Sequence, residues 1–224
     1  MTTEKEEPIL ITPEMLAGSA ETRRDFERGM SFAPPLILLI IALNVAMFVW
    51  EIAAGALQNQ ETITAAGALV RERVAAGEYW RLFSSMFLHG GVDHILGNCI
   101  VLYIVGMACE HALGFAQTAA VYFASGLAGG FFSLAMGPGP SVGASGAIFG
   151  VVIAVVVILY RHQRSFYVRD KRIGFVLVAW AAYTLFTGFL SPFIDNYAHL
   201  GGMIGGGLVA LGLRPRLLSA LPPG

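Results

Sequence analysis

An almost unbroken apolar run of fourteen residues, Ala147 to Tyr160, restricts this chain more than any other stretch. Lipid offers no hydrogen-bond partners to backbone N–H and C=O groups, so a spanning segment of this kind satisfies them only as a helix. Five further apolar runs accompany it: Ala33 to Ile52, His94 to Ala112, Gly114 to Met136, Ile173 to Leu190 and His199 to Leu213. Charged residues make up 13% of the chain, against roughly 25% in a soluble domain. The expected fold is all-α: a polytopic membrane protein built as a bundle of six transmembrane helices, with the lipid bilayer as its surroundings. A net charge of −1 gives nucleic acid nothing to bind.

Three sections follow from the distribution of polarity. Residues 1–31 read as a polar cytoplasmic tail, in which Arg23, Arg24, Asp25, Glu27 and Arg28 suit a short surface helix. Residues 32–213 form the six-helix domain, and 214–224 a second tail. No apolar signal segment opens the chain, so the first span is expected to direct insertion itself. Pro34 and Pro35 suit a helix start, and Asn44 reads as an amide bridging helices. With six spans the termini share a side with eleven Lys and Arg residues, leaving only Arg71, Arg73 and Arg81 opposite. The positive-inside rule then puts both termini in the cytoplasm, and a prokaryotic plasma membrane is the simplest home.

The long connection from Ala53 to Asp93 carries Gly77-Glu78-Tyr79-Trp80-Arg81-Leu82-Phe83. Aromatic and arginine neighbours of this kind anchor at membrane–water interfaces, so the loop is expected to dip into the outer leaflet.

Ser145 opens the fourth span behind a Gly/Pro-rich loop, Met136 to Gly143. A hydroxyl at a helix start either caps free N–H groups or acts as a nucleophile beside an anion site. Gly143 and Gly146 favour the second, because they let another backbone or a substrate come close. From Ser145 to Arg161 the helix rises about 24 Å, less than a hydrocarbon core of about 30 Å. The serine is therefore expected below the outer membrane surface, in a cavity that admits water.

Other polar groups fall at the same depth. His94 and Asn98 lie at i and i+4 on the second span, and His199 begins the sixth. Polar groups inside spans are costly and mark function. Serine is a weak nucleophile until an imidazole takes its proton, and a tetrahedral oxyanion needs fixed donors. His199 suits the base; Asn98, His94 and the Ser145 N–H suit the donors. Gly202 and Gly206 share the His199 face and match Gly146 and Gly150 on the fourth span, small residues that allow close helix contact. Asp195, four residues before His199, could mimic the acid of a triad, but in a turn it is expected to be solvated. Glu110 is expected to be neutral or hydrogen-bonded to a neighbouring helix. Cys99 and Cys109, about 15 Å apart on one helix, read as packing residues. Metal-ligand spacing, a P-loop and a dinucleotide fingerprint are all lacking, so no metal and no cofactor is expected.

Trp80-Arg81, His94-x-x-x-Asn98, Gly143-Ala144-Ser145-Gly146 and Ala198-His199-x-x-Gly202-x-x-x-Gly206, in this order, resemble the rhomboid intramembrane serine proteases. The resemblance covers about Pro34 to Leu213. It implies a Ser145–His199 dyad without an acid, an oxyanion hole of His94, Asn98 and the Ser145 N–H, and transmembrane protein substrates cut near their outer ends, with the fifth span admitting them laterally. Many relatives carry tyrosine at the position of Phe149; the phenylalanine keeps a face to stack on His199. Ser85 stands where some relatives have histidine, and His89 is expected to hold the loop through backbone bonds. Two other readings remain at this level: a rhomboid-like protein that binds transmembrane clients without cutting them, and a small transporter or channel, which predicts internal repeats.

Overall fold

The computed structural model describes residues 25–137, 139–191 and 194–219. Six long helices form in the order the apolar runs require: α1 (Pro35–Ala53), α2 (Val92–Leu113), α3 (Phe115–Met136), α4 (Ser145–Arg161), α5 (Val168–Phe189) and α6 (Asn196–Gly212). Among the described residues the one extended pairing is an isolated bridge between Leu69 and Ser141. By length and composition α1, α2, α3 and the Arg172–Phe189 part of α5 suffice to cross a membrane, while α4, with 17 residues, is a shorter apolar helix.

α4 is the centre. Gly146 to Val152, Ala154, Val155, Ile158 and Leu159 are all buried, because α2, α3, α5 and α6 pack around it. A helix apolar on every side suits a protein core as well as lipid, and α4 takes the core. α5 lies at the edge, with 17% of its apolar window buried against 39% for α2.

α1 starts without a side-chain cap of its own, after Pro34. Its first free N–H groups, Leu36 and Ile37, donate to the two carboxylate oxygens of Glu110 on α2, at 3.2 and 3.1 Å. A carboxylate at a helix N-terminus satisfies orphan donors and meets the positive end of the dipole. Glu110 thus bonds a neighbouring helix, as its position on α2 suggested.

Several expectations are corrected. α5 begins at Val168 rather than Ile173, since a helix continues into polar sequence past the bilayer edge without losing its backbone bonds. α6 begins at Asn196 rather than His199. Residues 26–29 form a turn and not a surface helix, and Arg23 and Arg24 lie outside the described residues. Phe26 is 1% exposed and meets the His111 and Phe166 rings edge-on, so an apolar side chain pins this end of the polar section to the bundle.

Candidate active site

The loop between α1 and α2 is built rather than slack. It holds three short helices, Gln60–Ala66, Arg71–Ala75 and Arg81–Ser84. Trp80 and Arg81 part company: Trp80 is half exposed, whereas Arg81 is 4% exposed. The Arg81 guanidinium lies over the Trp80 ring, pairs with Glu78 at 2.6 Å and donates to the Thr64 and Ala68 carbonyls. Only the tryptophan behaves as an interface residue; the arginine folds the loop on itself, since a buried cation needs this many acceptors.

That loop carries the segment leading to Ser145. Leu69 and Ser141 exchange two backbone bonds of 2.9 Å, and the Gly143 N–H donates to the Ser85 carbonyl at 2.8 Å. Gly143 adopts φ +127°, and a β-carbon there would lie 2.8 Å from His94 Nε2 and 3.6 Å from Asn98 Nδ2. Only glycine meets both demands. The His94 Nε2 edge and the Asn98 amide therefore converge on the backbone two residues before Ser145.

Ala144 occupies the cap position of α4, and no side chain caps the helix. The Ser145 hydroxyl is thus free of capping. It lies 2.9 Å from His199 Nε2, within hydrogen-bond range. The approach of α4 and α6 rests on glycine: the Gly202 Cα faces the Gly146 carbonyl, and a β-carbon on Gly150 would lie 2.7 Å from the Gly202 carbonyl.

His199 is 6% exposed and held on three sides. Phe149 stacks on it, with ring centroids 4.3 Å apart and planes at 19°. Trp180 of α5 in turn stacks on Phe149 at 5.4 Å. The third contact was not anticipated: Nδ1 lies 3.2 Å from Asn196 Oδ1, while Asn196 Nδ2 donates to the Leu185 carbonyl. An amide oxygen only accepts, so Nδ1 carries the proton and Nε2 presents its lone pair to the serine. The i−3 spacing within α6 is the signal that could have found Asn196.

Asp195 is no solvated turn residue. Because α6 starts earlier than expected, Asp195 is its N-cap, accepting from Ala198 N–H at 3.0 Å. Its other oxygen accepts from Ser133 Oγ of α3. Both carboxylate oxygens are therefore engaged away from the His199 ring.

In the first loop, His89 Nδ1 lies 3.1 Å from the Phe87 carbonyl. Burial first, and the neighbouring His94 second, push the His89 imidazole down from 6.5 to about 4, leaving it neutral near pH 7. His94 Nδ1 accepts from Gly90 N–H at 3.3 Å, which leaves its proton on Nε2. Asn98 Nδ2 is buried with no partner in the protein.

Ser145, His199, His94 and Asn98 line one cavity of about 710 Å³, bounded also by Trp180, Thr184 and Ile194. A hydroxyl against an imidazole, with two unspent N–H donors beside it, is a set suited to acyl transfer.

The rhomboid domain family matches residues 76–216. The chain is 37% identical over 196 residues to rhomboid protease GluP of Bacillus subtilis (strain 168), covering 84% of this chain and 38% of that protein. It is 40% identical over 161 residues to RHOMBOID-like protein 5 of Arabidopsis thaliana, 69% of this chain and 51% of the relative. Rhomboid protease AarA of Providencia stuartii is 31% identical over 226 residues, 86% and 76% of the two chains. The chain thus spans about half or less of the length of the first two relatives. A match across most of the bundle, together with this succession of apolar helices, identifies a multi-pass membrane protein that belongs to the rhomboid family.

Proposed function

We propose that this protein is an intramembrane serine endopeptidase that cleaves transmembrane protein substrates near the outer face of the membrane. The observation carrying this reading is the 2.9 Å approach of Ser145 Oγ to His199 Nε2 between two separate helices.

Ser145 Oγ attacks the scissile carbonyl while His199 Nε2 takes its proton. The carbonyl π electrons move to oxygen, and the oxyanion is met by His94 Nε2–H, Asn98 Nδ2–H and the Ser145 backbone N–H. Collapse breaks the C–N bond, and the imidazolium gives its proton to the departing amine. Water, deprotonated by the same imidazole, then hydrolyses the acyl-serine. Asn196 orients His199, Phe149 supports its ring and Gly143 makes room for the donors. No metal or cofactor enters this sequence.

Topology supports the placement. Eleven of the fourteen Lys and Arg residues fall on the side of the termini, which puts that side in the cytoplasm and the serine toward the outer face. A prokaryotic plasma membrane suits this arrangement. Residues 32–213 are the catalytic domain, with 1–31 and 214–224 as tails. The test is reaction with a fluorophosphonate probe, which reads out an activated serine without knowledge of the substrate.

A further inference from the structure

Glu51 sits in the last turns of α1, is fully buried, and takes no part in the chemistry set out above. A carboxylate is not buried without compensating bonds. Both of its oxygens converge on a single group, the backbone N–H of His89, at 3.0 and 3.2 Å. The next N–H along the chain, that of Gly90, donates to His94 Nδ1 at 3.3 Å. The His89 ring lies against the His94 ring, edge to face, with centroids 5.2 Å apart.

We infer that Glu51 is a positioning residue for the oxyanion hole: by fixing the His89 backbone it aims the Gly90 N–H at His94 Nδ1 and so holds the His94 proton on Nε2. The inference rests on the proposed role of His94 as an oxyanion donor. Each link is local. His89 and Gly90 are consecutive, so the N–H that Glu51 holds and the N–H that His94 accepts lie in adjacent peptide planes joined at the His89 Cα. A lone pair engaged at Nδ1 leaves Nε2 as the protonated nitrogen. That nitrogen faces Gly143, where it converges with Asn98 Nδ2. If the turn drifts, the imidazole is free to take the other tautomer, presenting a lone pair to a developing negative charge.

Three kinds of evidence separate this from a merely structural role. First, Glu51→Ala is expected to lower kcat about 10-fold with KM unchanged, less than the 10²–10³-fold typical of deleting a donor outright. In a His94→Ala background the same substitution is expected to cost less than about 2-fold, because the two residues act on one path. A kcat within 2-fold of wild type, or an undiminished loss in the His94→Ala background, overturns the inference. Second, Glu51→Gln keeps an acceptor for the His89 N–H and is expected to retain kcat within about 3-fold, on the standing of a preserved hydrogen bond; a folded Glu51→Gln protein as impaired as His94→Ala overturns it. Third, ¹⁵N NMR of histidine-labelled wild-type protein at pH 7 is expected to show His94 as the Nε2–H tautomer. The Nδ1–H tautomer overturns the inference without reference to any variant. A wild-type protein that cleaves nothing and is indistinguishable from Ser145→Ala marks instead the failure of the proposed function, and the His94 tautomer still decides the positioning.

Discussion

Gly202 of α6 lies against the Gly146 carbonyl of α4, and four residues on, a β-carbon on Gly206 would sit 2.5 Å from the Gly150 Cα. Backbone meets backbone along this seam, and it is the seam that brings Ser145 and His199 together.

Gly206→Ala therefore forces the two helices apart, because the clashing atoms are backbone and cannot rotate away. Overpacking of this kind costs about 1–3 kcal/mol, and the hydroxyl–imidazole distance opens with it. Thermal unfolding and turnover are both expected to fall. Gly212→Ala has nothing within 4 Å of the new carbon and serves as the control, expected within about 0.5 kcal/mol of wild type. Equal behaviour of the two variants contradicts the close seam.

Asn98 offers an amide nitrogen with no protein partner, near the space beside Gly143. Asn98→Ala is expected to reduce kcat by about 10²–10³-fold with little change in KM, the range for loss of one oxyanion donor. Steady-state kinetics on a transmembrane substrate checks this, and an unchanged kcat assigns Asn98 to helix contact alone.

Phe149→Leu removes the ring that stacks on His199 and leaves a similar volume. An aromatic pair contributes about 0.5–1.5 kcal/mol beyond area burial, so turnover is expected to drop about 2- to 10-fold. Phe149→Tyr keeps the face and is expected to match wild type. Loss of activity in the tyrosine variant as large as in the leucine variant contradicts the stacking role.

His89 makes the first loop sensitive to acid. Its imidazole is lowered from 6.5 to about 4 in the folded protein, so between these values the unfolded chain binds a proton that the folded one does not. Stability linked to this group therefore rises with pH across that window and falls as the pH drops through it. Unfolding followed by temperature between pH 7 and pH 4 is expected to show a weaker pH dependence in His89→Gln than in wild type. Identical dependence in the two contradicts the burial of a neutral imidazole.

The apolar runs made the six helices legible, because lipid leaves a spanning backbone no alternative to helix. The Ser145 and His199 pairing was legible for a related reason: each lies in the first turn of its span, and glycines at matching spacing mark where those spans touch. Glu51 and Arg81 were not legible in the same way. Their partners are backbone groups or side chains fixed by the path of a loop, and no periodicity records that path. Asp195 shows the difference sharply. Its role turned on α6 starting at Asn196, a shift of three residues that converts a turn residue into a helix cap.

The most direct test of the central claim is labelling of the membrane-embedded protein by a fluorophosphonate probe. Wild type is expected to label, Ser145→Ala not at all, and His199→Ala weakly or not at all. Labelling that persists in Ser145→Ala, or that is equal in wild type and His199→Ala, contradicts a serine activated by that imidazole.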